Sequence, residues 1–576
     1  MRRLVSAHNE RVLFHLFALA NVVPVWLNTY AASLDGPQHL YIAQVINQLW
    51  SCNPVYEQFY QFSSPIIGNQ TGNLILAFFQ FFLPAWLAEK LLMSVYLLGI
   101  AYAFRYLVFS VSGTSSYLTF LIFPFAYHVF FLQGYYNFSL GYVFLFLALA
   151  WWNDIKNKIK ARNAIIMSLL LLLTYFTHLF VFGLLLIMLG LVAIVDLIVM
   201  TKTFTQRRNV YLWIRQNLIL LTLALPGIAL SLLYFRLIPS LSPSPVETEF
   251  LMEYLSGMKI LIGFQQAAEM RFTQPLLIYI LMLTAGLIIY RSFSAKRQIT
   301  ATTSRCLNKN DLWLIAAILL GVINFMFSYS MPAGSIATRL IITMFFILLL
   351  WLAAKPVPKW LQLLTVAVVV IFSLAIRKQH HGDLHNLDHH IKELLEMEQF
   401  IEENSIIMSV NFSDNWTHLH FKNYLGSAKP IVNIHTEAIS PYFIVDWNAG
   451  QMPDLYLGTL PVYRFNHYSH PYQSEQLMVA QKVVVWGYKK FSMPEFEDLY
   501  KTALLQNYEL IYVSSNTNGA LFELTIEEEI HHLEQEIILL NDQQTIEESA
   551  SDKGLSVSYW IRARALEKLE MKRQTN

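Results

Sequence analysis

Between residues 12 and 377, apolar residues come in blocks about as long as a bilayer is thick, separated by short polar loops. A helix rises ~1.5 Å per residue and needs about 20 apolar residues to cross a ~30 Å hydrocarbon core. Inside lipid each backbone N–H and C=O has to be paired within the segment, so blocks of this kind have to be helices. Composition agrees, with 55% hydrophobic and only 14% charged residues, against about 25% charged in soluble domains. The chain therefore reads as a mainly α, polytopic membrane protein. Its net charge is +1 and its basic residues sit in short loops, with no dense patch for nucleic acid. Met1-Arg2-Arg3 and Arg11 precede the first block and no small-residue cleavage site follows it before Asp35, so it reads as a retained span.

Orientation follows from where Lys and Arg fall. None occurs between Arg11 and Lys90, so the first long loop is expected outside and the N-terminus in the cytoplasm. Three later loops are basic and expected inside: Lys156, Lys158, Lys160 and Arg162; Lys202, Arg207, Arg208 and Arg215; Arg291, Lys296, Arg297, Arg305 and Lys309. The turn with Lys355 and Lys359 belongs with them, whereas 238–274, with Glu247, Glu249, Glu253 and Glu269, is expected outside. These sides give eleven crossings, at 12–30, 89–109, 117–132, 137–152, 164–178, 180–200, 216–236, 275–291, 312–329, 336–354 and 360–377. Residues 164–200 are too long for one span and are expected to break near Thr177-His178. The apolar stretch 73–83 breaks the charge parity if it crosses, and is expected to be an interfacial or re-entrant helix. Cys52 and Cys306 then fall on opposite sides, which excludes a disulfide framework.

Past Ile376 the chain changes character. Short β-branched runs at 405–410, 430–434, 482–486 and 509–513, with a helical pattern at 494–505, indicate a small α/β domain. The expected organisation is a transmembrane domain at 1–377, an extracytoplasmic α/β domain at 378–525 and a charged helical tail at 526–576. In the tail, Ile530, Leu533, Ile537 and Leu540 form an apolar stripe expected to pack on the α/β domain. His380-His381-Gly382-Asp383-Leu384-His385-Asn386-Leu387-Asp388-His389-His390 is rich in metal-ligand types. His381, His385 and His389 would share one helix face, but three ligands on one helix seldom complete a tetrahedral site, so the run reads as a polar exit from the last span.

Several polar residues gather at the expected outer membrane edge. Asp35 and His39 follow the first span in Asp35-Gly36-Pro37-Gln38-His39-Leu40-Tyr41. Gln133, Tyr135, Tyr136 and Asn137 form a turn, His178 marks another, and Arg339 lies just inside a span after Ser330-Met331-Pro332-Ala333-Gly334. A charge at membrane depth costs roughly 2.5–3.5 kcal/mol on insertion scales and usually faces a cavity or partner. Each residue also has a plainer role. Asp35 before a helix with proline in its first turn is a capping signal. His39 and His178 suit interfacial hydrogen bonds, Tyr136 and Asn137 suit a tight turn, and Arg339 can snorkel to lipid phosphates.

Taken together, these pieces resemble the GT-C superfamily of integral-membrane glycosyltransferases, which includes protein O-mannosyltransferases and lipid A aminoarabinose transferases. The resemblance covers roughly residues 10–377 and is carried by the Asp35–Tyr41 motif, Pro84-Ala85-Trp86-Leu87-Ala88-Glu89-Lys90, Gly134-Tyr135-Tyr136-Asn137-Phe138, Thr177-His178 and 332–339, with a bacterial branch fitting best. It implies a sugar donor on a polyprenyl phosphate, an extracytoplasmic glycan, lipid or protein acceptor, and a place in the plasma (inner) membrane. On that likeness Asp35 is the catalytic base, with His39 orienting it or binding the acceptor. Arg339, helped by His178, binds the donor phosphate, and Tyr136 and Asn137 bind the sugar. Many superfamily members carry two neighbouring acids in the first loop, whereas Asp35 stands beside Gly36 and Pro37. No metal or other cofactor is expected. A transporter or lipid flippase would need two related halves with interrupted helices, and no such repeat is seen. A non-catalytic scaffold displaying the outer domain would leave Asp35 and Arg339 dispensable. A phosphatase reporter fused after Arg377 is expected to be active outside the cell; activity confined to a cytoplasmic reporter there would overturn the eleven-crossing topology.

Overall fold

The computed structural model describes residues 2–63, 66–203, 207–237, 244–297, 309–326, 329–331, 334–434, 439, 443–448, 480–496, 499–553 and 555–575. Arg305, Cys306 and the Pro332-Ala333 part of the expected outer turn lie outside them. The chain forms two compact units. The first comprises Met1–Asn28, Gly68–Gly72 and Lys90–His385; the second comprises Thr29–Ile67, Asn73–Glu89 and Asn386–Asn576.

The first unit is a helical membrane bundle. Among the described residues, seven helices are long and apolar enough to cross a membrane: Ala85–Ser112, Tyr136–Ile155, Leu179–Ile198, Val210–Arg236, Gln266–Tyr290, Ile336–Ala353 and Lys359–Phe400. Tyr117–Ala126, Ala161–Thr177 and Leu312–Met326 are apolar but shorter. This is an integral membrane protein. Helix Ile336–Ala353 is apolar all round and buried at every position except Ile336, Arg339 and Met344, as a central bundle helix should be. Helix Arg207–Leu237 instead leaves Leu218, Leu221, Leu225, Leu232 and Phe235 exposed, a face suited to lipid. It approaches its neighbour closely at Gly227, where an added Cβ would stand 2.6 Å from the Phe182 ring. Small residues at helix contacts are the usual device in membranes, where burial alone drives little association.

Three expected spans are corrected. The first, 12–30, is not one helix: the helix is Arg2–Ala20, followed by a 3-10 turn at Val23–Trp26. Pro24 in that turn has no N–H to continue an α-helical ladder. The second, 117–132, is broken into a 3-10 turn Tyr117–Leu121, a short helix Ile122–Ala126 and another at Val129–Leu132. His128 ends the break by accepting the Phe131 N–H on Nδ1 (3.2 Å). The segment is almost wholly buried in protein, a setting in which irregular backbone is tolerated at membrane depth. The third, 360–377, continues without interruption to Leu395. Its 37 residues reach about 55 Å at ~1.5 Å each, well beyond a hydrocarbon core. The histidine-rich run, expected as a polar exit from the last span, is thus a continuation of the span's own helix. The break within 164–200 falls at His178, the one non-helical residue between Ala161–Thr177 and Leu179–Thr203.

The second unit is built on a five-stranded mixed sheet. Its order is Val432–Ile434, Ile406–Asn411, Lys482–Trp486, Gly519–Leu524, Tyr508–Val513; the first three are parallel and the last two antiparallel. Strand Gly519–Leu524 was not expected. It sits between two strands that were, and its Gly-Ala start hid a short buried run. The helix between strands is Leu499–Asn507. The tail forms helices Glu527–Leu540, Gln543–Asp552 and Val557–Thr575. Ile530, Leu533 and Ile537 are buried as the stripe requires, but Leu540 is 68% exposed. The stripe packs chiefly on helix Val557–Thr575 and not on the sheet: the tail supplies its own apolar partner, and Leu540, the helix's last residue, falls past the contact. Helix Thr71–Gln80 has ten residues, about 15 Å at ~1.5 Å each, half a bilayer core.

Helix Gly36–Trp50 is buried on nearly all sides within the second unit. It packs on the 3-10 turn Phe421–Tyr424 and is fastened through one hydroxyl. Tyr41 Oη donates to the Ile431 carbonyl (2.9 Å), accepts from the Asn433 N–H (2.8 Å) and pairs with Tyr60 Oη (2.8 Å). Gly426 lies against the Tyr41 ring, where a Cβ would stand 3.0 Å away. Tyr41→Phe would leave a buried N–H without its partner, so a loss of about 1–3 kcal/mol is expected. Thermal melting of the full chain in nanodiscs checks this; an unchanged midpoint would contradict it.

Candidate functional site

Asp35 occupies the N-cap position of helix Gly36–Trp50, but its side chain makes no capping hydrogen bond. Two local features explain this. Asp35 has helical backbone angles (φ −96°, ψ −11°) instead of the extended ones from which a cap side chain reaches back, and Pro37 at the second helical position has no N–H to offer. The carboxylate is therefore not consumed by the helix start. It remains 21% exposed, and its Oδ1 stands 3.6 Å from His420 Nε2. His420 itself is buried, and Gln38 Nε2 lies 2.7 Å from its Nδ1. The amide N–H donates to Nδ1, which leaves the ring proton on Nε2, facing Asp35. Burial first, and then the charges of Lys422 and His39, lower the His420 pKa to about 3. The ring facing Asp35 is thus neutral at ordinary pH.

His39, one turn beyond Asp35, is buried and directs Nδ1 to Asn73 Oδ1 (2.6 Å). An amide oxygen can only accept, so the Nδ1–H of His39 donates to it. Asn73 comes from helix Thr71–Gln80, which Asn47 also binds by donating to the Ala77 carbonyl (3.1 Å). The second unit therefore collects Asp35, Gln38, His39, Asn73 and His420. His420 and Asn73 escaped the sequence reading because nothing local marks them: their meaning comes from a contact across 382 residues in one case and 34 in the other.

The first unit collects a different set. Tyr135 follows Gly134, whose φ of +86° makes the turn before helix Tyr136–Ile155. Arg339 lies one turn into helix Ile336–Ala353, which starts with Ser335 Oγ accepting the Thr338 N–H (3.3 Å). Its guanidinium carbon is 5.3 Å from the Phe138 ring and 5.9 Å from the Tyr135 ring, within cation–π range. The same Phe138 ring meets His178 edge-on at 5.1 Å. Phe138 is thus the shared wall between Arg339 and His178. Tyr136 is buried. Asn137 accepts the Gly72 N–H on Oδ1 (2.6 Å) and donates from Nδ2 to the Asn69 carbonyl (2.8 Å). Both ends of its amide hold the short segment Gly68–Gly72 against the bundle.

The histidine-rich helix does not gather its ligands. His380 donates to Glu269 (2.8 Å), whose carboxylate also accepts the N–H groups of Gly263, Phe264 and Gln265. His385 turns to Asn28 (3.2 Å) and His390 to His418 (3.0 Å), while Asp388 accepts the Tyr30 N–H (2.7 Å). Among the described residues, no group of three or more His, Cys, Asp or Glu is placed to hold a metal ion.

No family model matches the chain, and no curated protein matches it. Among solved structures it is similar to ArnT from Cupriavidus metallidurans in the apo state, with TM-score 0.42 and 11% identity over 90% of this chain and 98% of that one. It is likewise similar to ArnT from the same organism bound to undecaprenyl phosphate, with TM-score 0.40, 11% identity and the same coverage. At such scores the likeness says nothing of the chemistry, which has to be argued from this chain's own residues.

Gly72→Ala would put a Cβ 2.8 Å from Asn137 Oδ1. It is expected to break that hydrogen bond and cost about 1–3 kcal/mol, lowering the melting midpoint as Asn137→Ala does. A Gly72→Ala protein that melts with the wild type would contradict the anchoring role.

Proposed function

We propose that the protein is a membrane glycosyltransferase that moves a sugar from a polyprenyl-phosphate donor to an extracytoplasmic acceptor hydroxyl, with inversion. The observation that carries this function is Asp35: a partly exposed carboxylate that makes no capping hydrogen bond and is faced by a neutral imidazole. An inverting displacement needs a group that takes the acceptor proton on the face opposite the leaving group, and a carboxylate in this state suits that task. The acceptor oxygen bonds to the anomeric carbon, its proton passes to Asp35, and the bond from that carbon to the phosphate oxygen breaks. His39, one turn on from Asp35, is proposed to hold the acceptor.

Negative charge then grows on the departing lipid phosphate. Arg339 is proposed to bind it, because a guanidinium stays charged and engages a phosphate with two parallel N–H groups. The Tyr135 and Phe138 rings beside it favour the cation without neutralising it. His178 is proposed as a second donor to that phosphate, and Tyr136 and the second N–H of Asn137 as contacts to sugar hydroxyls. The donor's own monophosphate leaves without a divalent ion, so none is invoked. We propose that the N-terminus lies in the cytoplasm and the sheet-bearing region outside the plasma membrane, where the acceptor glycan, lipid or protein would be met.

With the full chain in nanodiscs and a panel of radiolabelled polyprenyl-phosphate hexoses, wild type is expected to transfer label. Asp35→Asn is expected to abolish transfer while still binding a polyprenyl monophosphate. Arg339→Lys is expected to weaken that binding about tenfold or more, because the two-pronged contact is lost. Undiminished transfer by Asp35→Asn would remove it as the base; unchanged binding by Arg339→Lys would remove it as the phosphate anchor.

A further inference from the structure

We infer that His420 is a positioning residue for Asp35, held as the Nε2–H tautomer by Gln38 so that its N–H is aimed at the carboxylate. The inference rests on Asp35 acting as the base. Three observations carry it. Gln38 Nε2 is 2.7 Å from His420 Nδ1, and an amide N–H can only donate there, so Nδ1 is the unprotonated nitrogen. His420 Nε2 is 3.6 Å from Asp35 Oδ1, longer than a direct hydrogen bond, as such contacts often are before substrate binds. His420 also begins the 3-10 turn Phe421–Tyr424 that packs on helix Gly36–Trp50. The same helix therefore supplies the base at its cap, the residue that sets the tautomer one turn later, and the surface on which His420 sits.

The charge state matters as much as the geometry. Among the described residues, the charged or titratable groups acting on His420 include Asp35, Lys422 and His39. Burial, Lys422 and His39 disfavour a proton, while Asp35 favours one; the balance keeps the ring neutral, with a pKa of about 3. An imidazolium beside the carboxylate would lower the basicity of that carboxylate. A neutral N–H fixes the direction of the carboxylate and leaves it a competent base. Nothing in the sequence brings His420 to Asp35, because they are far apart in the chain.

The test has a spectroscopic and a kinetic arm, both on the full chain in nanodiscs. In protein labelled with nitrogen-15 histidine, the His420 signals are those lost in His420→Gln. They are expected to report a neutral ring protonated at Nε2 at pH 7 and still neutral at pH 5. In Gln38→Leu the tautomers are expected to mix. An imidazolium at pH 7, or a ring protonated at Nδ1, would overturn the inference without any substrate. In the kinetic arm, His420→Leu is expected to lower kcat about a hundredfold, as a misaligned catalytic group does, with the donor KM unchanged. His420→Gln, which keeps an N–H donor, is expected to recover most of it. His420→Lys is expected to move the acid limb of the kcat/KM profile to lower pH, because a fixed cation faces the base. Wild-type kcat in His420→Leu with an inactive Asp35→Asn would sink the positioning role alone. Full activity in Asp35→Asn would sink the base assignment on which it rests.

Discussion

The proposed acceptor-side chemistry depends on the burial of one helix. Gly36–Trp50 is enclosed on nearly every face, so its first turn cannot rotate or slide without breaking buried polar bonds. Tyr41 supplies most of that restraint, with one hydroxyl shared among Ile431, Asn433 and Tyr60. Tyr56 adds a second donor to the same Ile431 carbonyl (2.9 Å). Because Asp35, Gln38 and His39 lie on the turn just before Tyr41, their directions are set by the same lock. A catalytic carboxylate on a free loop would spend much of its time misdirected; one at the start of a clamped helix does not.

The two units treat charge differently. In the second unit the proposed base keeps some contact with water, and its imidazole neighbour is held neutral by burial. In the first unit Arg339 sits within a buried apolar helix and is flanked by aromatic rings. A guanidinium at membrane depth is costly, roughly 2.5–3.5 kcal/mol on insertion scales, and each aromatic face offsets on the order of 0.5–2 kcal/mol.

The bundle was legible in the sequence because hydrophobic length and the distribution of Lys and Arg are properties of single segments. The break at His178 followed from length alone. What failed were the places where local chemistry overrides hydropathy: Pro24 ending a helix that the apolar count carried to residue 30, and His128 interrupting a run that reads as continuous. The histidine-rich run read as a polar exit from the last span; it continues that span's helix, and its residues find separate partners in Glu269, Asn28 and His418. Asp35, His39 and Arg339 stood out as polar residues at span ends. Their partners did not, since Asn73, His420 and the rings beside Arg339 acquire meaning only from contacts the fold creates. The plain reading of Asp35 as a helix cap was half right: the position is the cap, but with helical backbone angles there and no N–H on Pro37 the side chain makes no capping bond.

The central claim is that Asp35 removes the acceptor proton, and a nucleophile with no proton to lose tests it most directly. Azide attacking the anomeric carbon needs no base, so Asp35→Ala protein given azide and a labelled polyprenyl-phosphate hexose should form the inverted glycosyl azide while failing with hydroxyl acceptors. An Asp35→Ala protein that binds donor but yields no glycosyl azide, or one that still glycosylates hydroxyl acceptors at the wild-type rate, would contradict it.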